Sequence, residues 1–101
     1  MSYENTASMR ESLAYAMVRA PRFNPEDGRS QTYVFNELRS QLAAMQKEWW
    51  GGDESYQRMS AYIDQAETHL NAGDALEAKR AFGEVYAIID QTPRPKKVKS
   101  A

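Results

Sequence analysis

The chain has 101 residues, no cysteine and a net charge of −1, with 42 % hydrophobic and 27 % charged residues. That length suits one domain that buries a modest core, and the composition is ordinary for a globular protein. The lack of cysteine excludes a disulfide framework, a thiol nucleophile and a cysteine metal site, and no apolar run reaches the roughly 20 residues that span a bilayer.

The first predicted element is a helix over about 8–20. Ser8 and Glu11 stand at the spacing of a capping box. Met9, Leu13, Ala16, Met17 and Ala20 form an apolar face. Pro21 ends the helix, because the residue before a proline is pushed out of helical geometry. Glu4, Arg10 and Glu11 precede the short apolar centre from Leu13 to Val18, which is not a targeting pattern, so a cytoplasmic protein is expected. Residues 21–29 read as a loop with Phe23 as its anchor to the core. Within that loop Asn24-Pro25-Glu26-Asp27 can open a short helical turn, with Pro25 in first position.

A second helix is predicted over about 30–50. Phe35, Leu38, Leu42, Met45 and Trp49 recur at spacings of 3, 4, 3 and 4, which places them on one stripe. At about 30 Å this would be the longest element, with the others packed against it. Gly51 and Gly52 can take the left-handed conformation that ends a helix, and Asp53 can cap the next. The third helix, about 54–71, repeats the rhythm with Tyr56, Met59, Ile63, Ala66 and Leu70. Gly73 breaks the chain, and Asp74 with Glu77 has the pattern of an aspartate-led cap. The fourth helix, about 75–91, turns Ala78, Ala81, Phe82, Val85, Ile88 and Ile89 inward and stops at Pro93. Residues 94–101 form a basic tail with too little apolar content to offset the cost of ordering, and are expected to be mobile.

The expected fold is therefore all-α, a single-domain bundle of four helices within residues 1–93. Short turns make helices two, three and four consecutive antiparallel neighbours, while the first arrives through a longer loop. A 3-4 seam of this length serves an intramolecular bundle or a homodimer. The third and fourth helices resemble a single tetratricopeptide hairpin over about 30 residues. Tyr62 stands at the bulky aromatic position, Ala66 at the small one, Gly73-Asp74 at the turn, and Ala78 and Phe82 in the second helix. Gln65, His69 and Asp90 depart from that pattern, which does not recur in residues 1–52, so the similarity is read as convergent hairpin chemistry.

Charge is unevenly spread. Residues 1–52 balance six acids with six bases, whereas residues 53–93 set eight acids against Arg58, Lys79 and Arg80, a balance of −5. Arg94, Lys96, Lys97 and Lys99 then give the tail +4. An acidic helical pair followed by a basic tail bears on partners.

Catalytic material is sparse. His69 is the sole histidine and is read as an interfacial or surface residue rather than a general base. Zinc sites need several His or Cys ligands, and phosphate loops, calcium loops and a nucleophile elbow are absent from the sequence. No cofactor or metal is expected. Asp64 and Glu67 share a helix face, as do Glu77 and Arg80, and Arg80 is expected to pair with Glu84 at i,i+4. Trp49 continues the core stripe, but its helical neighbour Trp50 would point about 100° away. It would then cover the helix end, pack on a neighbour such as Tyr56, or anchor an interface. Six tyrosines exceed what a small core seats, which extends the question to Tyr3, Tyr15, Tyr33 and Tyr86.

The function expected from these readings is a non-enzymatic protein-binding module. Its surface would be acidic and aromatic-bearing: Trp50, Tyr56, Asp53, Glu54, Asp64, Glu67, Glu77 and Glu84. An alternative in the same class is a small inhibitor of phage or mobile-element type that blocks a nucleic-acid-binding surface of a host complex. Such an inhibitor would be similar to anti-CRISPR proteins in general character only. A further alternative is a nucleic-acid-associated protein using Arg94, Lys96, Lys97 and Lys99. The partner is expected to be another protein or complex, with nucleic acid engaged at most weakly through the tail and no membrane contact.

Overall fold

Four helices form in chain order: α1 (Glu4–Arg19), α2 (Gln31–Met45), α3 (Asp53–Asn71) and α4 (Ala75–Gln91). A 3-10 turn at Pro25–Asp27 lies between the first two. The computed structural model describes residues 3–93, the Asp27 side chain excepted. The expected basic tail lies outside the described residues.

The helices close a ring in which α1 packs on α2 and α4, and α3 packs on α2 and α4. Cross-helix contacts fix the directions. Thr6 meets Glu48, beyond the end of α2, and Arg10 meets Asp90 near the end of α4. Gln31 meets Asn71 while Tyr56 meets Leu42. Each helix thus runs antiparallel to both neighbours, the up-down-up-down bundle that short connections favour. One end of the bundle gathers the start of α1, the end of α2, the start of α3 and the end of α4.

The predicted stripes fill the interior. Met9, Leu13 and Ala16 of α1 face Phe35, Leu38, Leu42 and Met45 of α2, with Met59, Ile63, Ala66 and Leu70 of α3 and Ala78, Phe82, Val85 and Ile89 of α4 completing the core. Phe35 and Phe82 touch across it with ring centroids 5.6 Å apart. Trp49, Tyr56, Phe23 and Ile88 are half-buried against its margin.

Two boundaries differ from expectation. Helix α2 ends at Met45 instead of Trp50, so α3, with 19 residues, is the longest helix and α2, with 15, the shortest. After Met45 the chain tightens into i→i−3 bonds, with Glu48 N–H donating to the Met45 carbonyl at 3.0 Å, as helix ends do when orphan carbonyls seek partners. Helix α1 begins at Glu4, a turn before Ser8, and the Ser8–Glu11 capping box does not form. Its flanking residue Tyr3 supplies no side-chain cap. Glu48 supplies one from across the bundle: its Oε1 accepts from the Asn5 N–H at 3.2 Å and its Oε2 from the Thr6 N–H at 3.3 Å. The Thr6 hydroxyl donates to the same Oε2 at 3.0 Å. Thr6 is fully buried, so this bond satisfies a hydroxyl that water cannot reach.

The 51–53 turn is more specialised than its sequence pattern. Within it Gly52 alone has a positive φ, 87°. With an extended ψ of 165° it does not take the left-handed helical conformation expected to end α2; it leads into α3 instead. Gly51 is required for space, because a Cβ there would lie 2.5 Å from the Trp49 ring. Asp53 does not cap α3; it is the first helical residue, and Gly52 in the cap position offers no side chain. The Trp49 indole N–H donates to Ser55 Oγ at 2.9 Å, and that hydroxyl donates to the Gly51 carbonyl at 2.8 Å. The expected Asp74 cap does form, accepting from the Glu77 N–H, and Asn24 caps the 3-10 turn.

Candidate functional site

The candidate residues fall into three separate places. The first is the bundle end that holds the start of α1 and the end of α4. Trp50, outside any helix, is half-buried there. Its indole N–H donates to the Thr92 carbonyl at 3.0 Å. Tyr3 meets its ring edge-on at 4.9 Å, and the Trp49 ring lies tilted at 4.7 Å. Trp50 therefore ties the approach to α1, the 49–52 turn and the exit from α4 together. Tyr56 faces α2 instead, donating its hydroxyl to the Leu42 carbonyl at 2.9 Å, and burial pushes its phenol pKa up. Asp53 and Glu54 lie exposed in the first turn of α3, where negative charge complements the positive end of the helix.

The second place is the seam between α2 and α3. The Arg39 guanidinium bridges Glu67 at 2.8 Å and Asp64 at 2.9 Å and lies over the Phe35 ring. The Glu67 hydrogen bond first, then that to Asp64, holds the guanidinium above its ordinary pKa. Arg39 was missing from the candidates because its role depends on the α2–α3 register. Asp64 and Glu67, read as part of an open acidic face, are engaged in this seam.

The third place is a groove of about 260 Å³ between α3 and α4. Tyr62, Gln65 and His69 form the α3 wall, Glu77, Arg80 and Glu84 the α4 wall, and Ala81 lies between them. Arg80 reaches back to Glu77 at 3.4 Å, the i,i+3 partner, instead of forward to Glu84 as expected. His69 Nδ1 stands 3.8 Å from Asp74 Oδ2, and the Asp74 N–H donates to the His69 carbonyl at 2.8 Å, so the imidazole lies against the turn that joins the helices. Of the expected surface residues, Glu77 and Glu84 meet in this groove. Beside them stand Tyr62, expected at the bulky aromatic position of the tetratricopeptide-like hairpin, and His69, expected as an interfacial or surface residue.

The remaining tyrosines have distinct places. Tyr86 receives the Arg10 guanidinium both at its hydroxyl, at 3.2 Å, and over its ring, while Arg10 also pairs with Asp90 at 3.0 Å. Tyr15 and Tyr33 line a cleft between α1 and α2. Among the described residues no group of three His, Cys, Asp or Glu could hold a metal ion, and no helix is long and apolar enough to cross a membrane. Compared with protein-family models, curated proteins and solved structures, the chain matches none.

Proposed function

We propose that this chain is a protein-binding module that acts without catalysis, docking a basic segment of another protein in the α3–α4 groove. The observation that carries the reading is the convergence of Glu77 and Glu84 with Tyr62 and His69 in that groove. The groove belongs to a stretch, residues 53–93, whose eight acids outnumber its three bases. Aromatic rings supply rigid contact area at low entropic cost, and rim carboxylates steer a basic partner and fix its register. Trp50 and Tyr56 lie away from this groove, and their hydrogen bonds serve the bundle.

The test is affinity capture from the native cell with wild-type protein and with the double variant Glu77→Arg/Glu84→Arg. Helicity and melting are expected to change little, since both carboxylates are at the surface. Capture of the partner should fall at least tenfold, and the remaining association should lose its salt dependence. An unchanged set of captured proteins at unchanged affinity would end the groove assignment.

A further inference from the structure

The cleft between α1 and α2 has a chemistry of its own. Glu11, Ser12 and Tyr15 form one wall, Tyr33, Val34 and Glu37 the other, and Arg29 enters from the intervening loop. Its volume is about 180 Å³, below the roughly 300–1,000 Å³ of sites that hold whole drug-sized ligands. A side-chain-sized group fits. Carboxylates stand on both walls, and Gln41 Nε2 donates to Glu37 Oε1 at 3.2 Å, which orients that carboxylate. Glu37 also raises the Tyr33 phenol above its ordinary pKa, through its hydrogen bond and its charge.

The chain already shows which chemistry the aromatic wall accepts. The Arg29 guanidinium lies 4.8 Å from the Tyr15 ring centroid, and Arg19 approaches the same ring at 5.9 Å. A ring face attracts a cation through its quadrupole, and a planar guanidinium both stacks on a ring and forks onto a carboxylate, which an ammonium cannot do. An anion would find Arg29 but would meet repulsion from Glu11 and Glu37.

We propose that the α1–α2 cleft binds a guanidinium, stacked against Tyr15 in place of Arg29 and held between the Glu11 and Glu37 carboxylates. The site stands on α1 and α2 and does not depend on the α3–α4 reading. Its natural source is a free guanidinium compound or an arginine side chain of a polypeptide, and the two are separable.

The test is an NMR titration of the full chain with four probes: ethylguanidinium, the blocked peptide acetyl-Gly-Arg-Gly-amide, n-butylammonium and acetate. Ethylguanidinium is expected to give saturable shifts at Ser12, Tyr15, Tyr33 and Val34 in the millimolar range. A peptide affinity at least threefold higher identifies an arginine side chain as the source, and an equal or lower one identifies the free cation. Glu11→Gln/Glu37→Gln should weaken ethylguanidinium at least tenfold with spectra elsewhere unchanged. Arg29→Gln, which removes the nearer of the chain's two cations from the ring, should strengthen it. Binding of n-butylammonium as tight as ethylguanidinium, saturable acetate binding, an unaffected double glutamine variant, or a loss of affinity in Arg29→Gln would each overturn the assignment.

Discussion

Glu48 is the residue whose replacement tests the architecture most directly. It sits outside every helix, and a residue in such a turn is ordinarily worth within about 0.5 kcal/mol. Here its carboxylate accepts from two of the first amides of α1 and from the buried Thr6 hydroxyl. Losing a side-chain cap costs about 0.5–2 kcal/mol, and the interaction of the charge with the helix dipole adds about 0.3–1 kcal/mol. A buried hydroxyl without an acceptor costs about 1–3 kcal/mol. These contributions share the same atoms, so the expected loss for Glu48→Ala is about 2–3 kcal/mol, below their simple total. At about 4–8 °C per kcal/mol for a domain near this size, melting should drop by about 8–24 °C. Glu48→Gln keeps one acceptor oxygen but turns an amide donor toward N–H groups, and should lose about half as much. The hydroxyl contribution is separable with Thr6→Val, which preserves shape. In the wild type this change removes a hydrogen bond and destabilises; in Glu48→Ala it removes an orphaned hydroxyl and should be neutral or stabilising. Urea unfolding of the four proteins measures the cycle. A Glu48→Ala variant within 0.5 kcal/mol of wild type, or a Thr6→Val cost that is the same in both backgrounds, would refute the trans-helix cap.

Gly51→Ala should destabilise by about 1–3 kcal/mol through overpacking, since the new Cβ meets the Trp49 ring at 2.5 Å. Indole fluorescence should shift as the Trp49–Ser55 bond breaks, and a variant with wild-type emission and stability would contradict this close approach. Tyr56→Phe removes the bond to the Leu42 carbonyl and should cost about 1 kcal/mol near neutral pH. Burial raises the Tyr56 phenol in the folded state, so the stability it adds is fully present below the unfolded value of about 10. That stability is lost as pH rises through the folded value, because the unfolded chain releases the proton first. The gap between wild type and Tyr56→Phe should therefore narrow above about pH 10. Tyr33, whose pKa Glu37 raises, titrates in both proteins and cancels in the difference; a gap constant from pH 8 to 11 would show that Tyr56 is not perturbed.

The parts of the fold legible in the sequence are those decided by neighbours in the chain. Helices α3 and α4 begin and end within a residue of expectation because Gly52, Gly73 and Asp74 act locally, through backbone conformation and a cap three residues long. The 3-4 stripes identified the core because apolar periodicity is itself local. The start of α1 and the end of α2 were displaced because Glu48, Tyr3, Trp50 and Thr92 decide them across more than 40 positions. The same distinction divides the candidate site. Charge counting found Glu77 and Glu84, but the engagement of Asp64 and Glu67 required knowing that Arg39 stands opposite them. The surplus of tyrosines was a usable signal for the α1–α2 cleft. Tyr15 and Tyr33 line it, yet only the antiparallel packing of α1 on α2 brings Glu11 and Glu37 into the same cleft.

The two ends of the bundle divide the work of the chain. At the end that gathers Tyr3, Glu48, Trp49, Trp50, Ser55 and Thr92, polar groups and rings are spent on one another. A tryptophan whose N–H and ring face are both occupied has less to offer a partner than its composition suggests. Toward the opposite end the side chains are less committed. Val18, near the end of α1, is 78 % exposed, and Leu76, at the start of α4, is 63 % exposed. The α1–α2 cleft opens beside Arg29, and the α3–α4 groove runs to His69 at the turn. Side chains that close a bundle end cannot be changed without cost to the fold, whereas those around an open cleft can vary with the ligand. Both proposed sites follow from that division: they reach toward the end where residues are left over once the helices have been fastened at the other.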